Sequence, residues 1–278
     1  MKMRDVSRKL TIDGWFKYAV LAFLFIFLSI ILALLASDVY YLIKSELTFS
    51  DLKSIVFSKK IIDAFYLSLA TSFTSLVLVM LFAIPVGYAL SRFRFPGHSI
   101  INAFVDIPLI LPPVVLGISL LAFFATPVGV QFKIILKQLN ISLVSGVGIV
   151  MGQFLVSVSY CVRATKASFD AVDRDLEDVA SILGASSWRI FTRITLPLSK
   201  NGLIAGGVMA WARAIGVFGP LMVFVGTGPR VQVMPTQIWL ELSIGNIETS
   251  LTIAIMMIVI AGSALTVVHK LAPGKEWT

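Results

Sequence analysis

Five stretches of this chain, residues 18–37, 64–91, 107–132, 138–162 and 249–269, contain no Asp, Glu, Lys or Arg. A sixth, 201–229, is interrupted only by Arg213. A helix rising ~1.5 Å per residue needs about 20 apolar residues to cross a hydrocarbon core ~30 Å thick, and every one of these runs is long enough. With 58% hydrophobic and 14% charged residues among 278, a water-soluble globular fold is excluded. The runs are continuously apolar and do not alternate residue by residue, which excludes a β-barrel. The expectation is an all-α membrane protein with six transmembrane helices.

The first run follows Lys2, Arg4, Arg8 and Lys9, so a secretory signal and a retained helix both come into question. A signal core spans ~7–15 residues and ends at a small-x-small site. Here the run is longer and no such site is clear, so a retained helix is expected. Trp15 and Tyr18 on one side and Tyr40 and Tyr41 on the other suit the two headgroup levels. The formal charge of +8 does not point to nucleic acid, because its distribution follows the membrane. With the N-terminus inside, fifteen basic residues fall on the cytoplasmic side, seven fall outside, and Arg213 lies within a run. That is the positive-inside bias, and it places both termini in the cytoplasm. One cysteine, Cys161, excludes an intrachain disulfide, and with only His98 and His269 no metal-ligand cluster or cofactor site is expected.

Proline and glycine punctuate the runs. Pro96-Gly97 marks a tight inner turn after the second. Pro108, Pro112 and Pro113 break the third, since each removes a backbone donor and disfavours helix at the residue before it. In a bilayer such a break is tolerated where it faces protein or a wet cavity, so a pore-lining kink and a packing kink both stand. Gly202, Gly206, Ala210 and Ala214 share one helical face, as do Gly148 and Gly152, allowing helices to approach closely. Arg213 carries the lone charge inside a run. It meets an anion in the pathway, is paired structurally, with Asp106 one possible partner, or snorkels to the interface.

Between the runs at 138–162 and 201–229, residues 163–200 carry 11 charges in 38 positions. Leu176, Val179, Ala180 and Leu183 recur at i, i+3, i+4 and i+7, the mark of an amphipathic helix. Asp173 or Asp175 can cap its start, and Gly184 suits the left-handed position that ends it. Ser186 or Ser187 can start a second helix, expected to stop before Pro197. The result is a hairpin with Gly184, Ala185 and Ser186 at its tip.

The spacing in this hairpin resembles the cytoplasmic loop of permease subunits of binding-protein-dependent ABC importers. That loop has a Glu-Ala-Ala triplet, three residues, Gly, nine residues, and Ile-x-Leu-Pro. Here the triplet position reads Asp178-Val179-Ala180, with Glu177 before it, followed by Gly184 and Ile194-x-Leu196-Pro197. Only Ala180 matches within the triplet, while the glycine and the closing motif match fully. The resemblance extends over about 61–270. Ile84 to Leu90, Phe95-Pro96-Gly97, Leu111 to Val115, Leu183 to Ser186 and Ala212 to Gly219 look most like the molybdate, tungstate and sulfate branch. That branch commonly has Glu where this chain has Val217.

The resemblance implies a tail, first helix and outer loop over 1–60, an importer permease domain over 61–270, and a cytoplasmic tail over 271–278. It implies an ATPase-coupling loop of Glu177, Asp178, Ala180, Gly184, Ala185, Ser186, Ile194, Leu196 and Pro197. Pro112, Pro113, Arg213, Gly216 and Phe218 are the candidate pathway residues. The implied partners are two ATPase subunits, a second copy of the permease, an extracytoplasmic substrate-binding protein and the lipid bilayer of the inner membrane, with no nucleic acid. The implied cargo is molybdate or tungstate, then sulfate. A permease for phosphonate, iron or thiamine is the alternative, and a secondary transporter or channel a further one. The chain lacks Gly-x-x-x-x-Gly-Lys-Ser/Thr, so it is not expected to be an enzyme and ATP hydrolysis is assigned to the partner.

Overall fold

The computed structural model describes residues 14–45, 47–139, 146–226, 228 and 232–271. The basic N-terminal tail, Arg230, residues 140–145 of the fourth run and the last seven residues lie outside these. Among the described residues the secondary structure is helical throughout, with no strand. The chain divides into two compact units, Met1–Ser50 and Asp51–Thr278. The first is dominated by α1 (Gly14–Lys44), 31 residues long and apolar enough to cross a membrane.

α2 (Phe49–Val56) begins at the division, and the second unit continues with α3 (Lys59–Arg92), α4 (His98–Ile110), α5 (Pro113–Ala125) and α6 (Pro127–Gln138). There follow α7 (Gly148–Asp170), α8 (Arg174–Ile182), α9 (Ser187–Ile190), α10 (Leu196–Ile215), α11 (Gly219–Phe224), α12 (Met234–Ser243) and α13 (Ile247–Leu271). By length and composition, α1, α3, α7 and α13 can each cross a membrane, and the bent pair α4–α5 makes a fifth crossing if counted as one.

The third apolar run is not one helix. It holds the end of α4, all of α5 and the start of α6, and α4 and α5 meet at 110°. Leu111 and Pro112 are extended, with ψ 137° and 133°, because each precedes a proline. Pro113 can then open α5, where its missing N–H is not needed. The run at 201–229 is likewise interrupted, with α10 ending at Ile215 and α11 starting at Gly219. By contrast Pro85 lies inside α3 without ending it.

α7 is the central post. Gly87 of α3 is so close that a Cβ there would lie 2.8 Å from Thr165 Cγ2. On α10, a Cβ at Gly206 would lie 2.7 Å from the Cβ of Ala164. The small-residue face of α10 therefore packs within the chain, against α7. Around this post, Val79, Ala83, Cys161, Val162 and Ala210 form one buried cluster. Leu116, Ile149, Val156, Val217 and Leu221 form a second, and Ile61, Ala64, Met234 and Ile253 a third toward the start of α3.

Candidate functional site

The residues between α7 and α10 fold as a helical hairpin. Asp173 starts α8, its carboxylate accepting the N–H of Asp175 at 3.0 Å. The helix closes with a left-handed Gly184 at φ 84°, whose N–H donates to Ser181 O while the Ala185 N–H donates to Ala180 O. This paired closure satisfies carbonyls that the helix end would otherwise leave open, and it needs a residue tolerant of positive φ. Ser186 is the residue before α9, but its side chain makes no capping bond.

The second arm does not stop before Pro197. α9 passes into a single π-helical turn, Phe191–Thr195, and that turn into α10, with Leu196 N–H donating to Phe191 O. Pro197 has no N–H and its ring crowds the preceding turn. Widening that turn makes room, so Ile194, Leu196 and Pro197 sit inside a continuous helical path.

α8 presents two different faces. On one, Arg92 at the C-terminal end of α3 forks onto Glu177: Nε lies 2.9 Å from Oε2 and Nη2 2.9 Å from Oε1. The two side chains are only 6% and 12% exposed. Fully buried Thr195, in the π turn, donates to the same Oε1 at 2.6 Å. Arg92 also donates to Val172 O and Ser91 Oγ, and Ser91 donates to Asp170. Arg174 closes the set by donating to Ser91 O at 2.7 Å. A cavity of about 610 Å³ opens beside this network, walled by Tyr88, Phe93, Trp188 and Phe191 and edged by Arg174 and Asp178. Tyr88 stacks edge-on to Phe191 with ring centroids 4.7 Å apart.

The other face of α8 is apolar and uncovered. Leu176 and Val179 are about half exposed, and Ile182 and Leu183 are more than 80% exposed. Asp178 and Ser186 are also exposed, and Ala180 and Ala185 are half-buried.

Among the candidate pathway residues, Pro113 and the segment after Phe218 come together. A Cβ at Gly219 would lie 2.9 Å from Val114 Cγ2, and one at Gly117 would lie 2.8 Å from Pro220 Cα. The break between α4 and α5 therefore rests on the break between α10 and α11. Phe218 packs against Trp239, Val217 is buried, and Pro112 and Gly216 are exposed. Arg213 is exposed, with its guanidinium 5.7 Å from the Tyr160 ring centre, and makes no ion pair among the described residues. Asp106 is not its partner. That carboxylate pairs with Arg163 of α7, which also donates to Asn102. Asp106 lies on α4 and finds the cation that α7 brings beside it, not one on α10.

Arg92, Ser91, Asp170 and Thr195 were not foreseen as members of the site. Arg92 reads in sequence as one more inner-face cation, 85 positions from its carboxylate. Of the two adjacent acids, Glu177 is the one bound within the chain, while Asp178 is exposed.

The binding-protein-dependent transport system inner membrane component family matches over residues 81–275. The molybdate/tungstate transport system permease protein WtpB of Thermococcus kodakarensis is 33% identical, over 77% of each chain. The molybdenum transport system permease protein ModB of Haemophilus influenzae is 39% identical over 59% of this chain and 72% of its own. Among solved structures, a bacterial alginate ABC transporter in complex with its pentasaccharide-bound periplasmic protein has a TM-score of 0.73 at 18% identity, covering 92% of this chain and 93% of its own. The inward-facing methionine transporter MetNI has a TM-score of 0.63 at 15% identity, over 76% of this chain and 94% of its own. At these identities the two structures speak for the fold alone. With most of its length matched by the family and by curated permeases, this chain belongs to the inner-membrane components of binding-protein-dependent transport systems.

Proposed function

We propose that the chain is the membrane-spanning subunit of an ATP-driven importer for a small tetrahedral oxyanion, molybdate or tungstate first and sulfate next. The observation that carries the subunit role is the uncovered apolar face of α8. A hairpin with 11 charges between its flanking spans is fixed to the end of α3 on one face and leaves Leu176, Val179, Ile182 and Leu183 bare on the other. Such a face fits a groove on an ATPase subunit, and the small residues Gly184 and Ala185 at the tip permit close approach. The names of the relatives support the cargo.

In this reading α1, α3, α4 with α5, α7, α10 and α13 make six crossings. Both termini and the hairpin face the cytoplasm, and α12 faces outside. Two copies enclose the pathway, two ATPases engage the hairpins, and an external binding protein delivers the anion. ATPase closure swings the hairpins and alternates access to the pathway. The two helix breaks that meet near Pro113 and Gly219, with Arg213 in the last turn of α10 and unpaired among the described residues, are the candidate lining. Irregular backbone of this kind is tolerated in a membrane where it lines a cavity or is packed by protein. The pathway needs only a weak anion site, because release must follow and selectivity can reside in the binding protein.

The test is reconstitution of the complete transporter in proteoliposomes with radiolabelled molybdate outside. ATP-dependent accumulation that requires the binding protein supports the reading. ATP-independent flux through this chain alone would replace it with a channel or secondary transporter.

A further inference from the structure

The buried ion pair at the root of the hairpin does more than its stability explains. A buried pair gives back much of its Coulomb energy in desolvation, and apolar packing would hold the hairpin as firmly. What a planar guanidinium fork adds is direction, since two parallel N–H···O bonds fix the carboxylate's orientation as well as its distance. The fork here joins the last residue of α3 to the first turn of α8. Its shared oxygen is also held by Thr195, at the end of the π turn that begins α10. A second tie, Arg174 to Ser91 O, spans the same gap, and Ser91 Oγ reaches the end of α7 through Asp170. The inner ends of three long helices and the start of α8 thus converge on one carboxylate and one hydroxyl.

We infer that the Arg92–Glu177–Thr195 cluster is the rigid joint that turns hairpin displacement into movement of α3 and α10. Arg92 is then a positioning residue for coupling ATP hydrolysis to transport. The inference rests on the coupling role proposed for the hairpin. The apolar face of α8 contributes the contact with the ATPase, and the opposite face, through Glu177, contributes the transmission. Loss of the fork leaves the contact surface in place, so the ATPase still docks and turns over while the helices follow its motion less faithfully.

The experiment uses the complete transporter in proteoliposomes and reads radiolabelled molybdate imported per ATP hydrolysed. Arg92→Gln is expected to keep normal association with the ATPase and to import roughly tenfold less anion per ATP, because Glu177 then keeps the Thr195 bond but loses the fork that fixes its direction. Arg92→Lys should recover part of the ratio. The exchange Arg92→Glu with Glu177→Arg should recover more than either change alone. Should Arg92→Gln fail to assemble, Thr195→Val removes one bond at nearly constant volume, and it should lower the ratio about two- to threefold. An unchanged ratio in Arg92→Gln, or in Thr195→Val where that variant is used, overturns the inference. Gly184→Val and Ala185→Glu, in the same preparations, separate this from the underlying reading. Normal transport by both removes the hairpin's coupling role altogether, whereas their failure beside a normal Arg92→Gln removes only the joint.

Discussion

Gly206 of α10 faces Ala164 of α7 with no room for a side chain, since a Cβ added at Gly206 would lie 2.7 Å from that of Ala164. The neighbouring residue Thr165 is in the same close relation to Gly87 of α3. α7 is therefore gripped at one level from two sides, which lets three helices approach where lipid provides no hydrophobic drive for association. Gly206→Leu should lower the thermal stability of the detergent-solubilised protein, by about 1–3 kcal/mol for overpacking. Ala164→Gly in the same chain should return part of it. A melting temperature unchanged by Gly206→Leu would mean that the α7–α10 contact is looser than this.

At the hairpin tip, Gly184 has φ 84°, and nothing lies within 4 Å of the place where a side chain would begin. Gly184→Val is therefore penalised by backbone conformation and not by crowding, at about 1–3 kcal/mol. Ala185→Glu instead adds bulk and charge to the surface presented to the partner. Both variants should insert in the membrane at normal levels and lose uptake, with less ATPase recovered on purification. Wild-type uptake by both would show that the hairpin is not the coupling element.

Orientation can be read from single cysteines in a Cys161→Ser background. Ser186→Cys should react with an impermeant thiol reagent only after the cells are opened, and Lys53→Cys should react in intact cells. The reverse pattern would invert the assignment made from the charge distribution.

Arg213 lies exposed over Tyr160 and has no ion-pair partner among the described residues, so its removal leaves no buried carboxylate behind. Arg213→Ala should slow transport, by roughly tenfold for the loss of ~1.4 kcal/mol of anion attraction, without changing which anions compete. Arg213→Lys should retain part of the rate. A changed competition order would place selectivity in this chain and not in the binding protein.

The helical membrane class was legible because charge-free runs of 20 residues have few other uses. The hairpin was legible because glycine, an acid-rich first turn and a 3.6-residue apolar period coincide between Asp173 and Gly184. The continuity through Pro197 was not, since a proline ends an ordinary α-helix and the wider turn that accommodates it has no simple sequence mark. The interruption of the third run was signalled by Pro112 and Pro113, but its 110° angle depends on packing between α5 and α11. Partners across the fold were the least legible. Apolar periodicity brings helices together, yet nothing local to Asp106 selects Arg163 over Arg213, and nothing local to Glu177 names Arg92.

The most direct measurement is competition uptake by the complete transporter, with radiolabelled molybdate against unlabelled tungstate, sulfate, phosphonate and a sugar. An oxyanion importer subunit should give ATP-dependent molybdate uptake displaced by tungstate at similar concentrations, by sulfate less well, and not by the sugar. Uptake of a sugar, an amino acid or a metal cation, unaffected by any oxyanion, would contradict it.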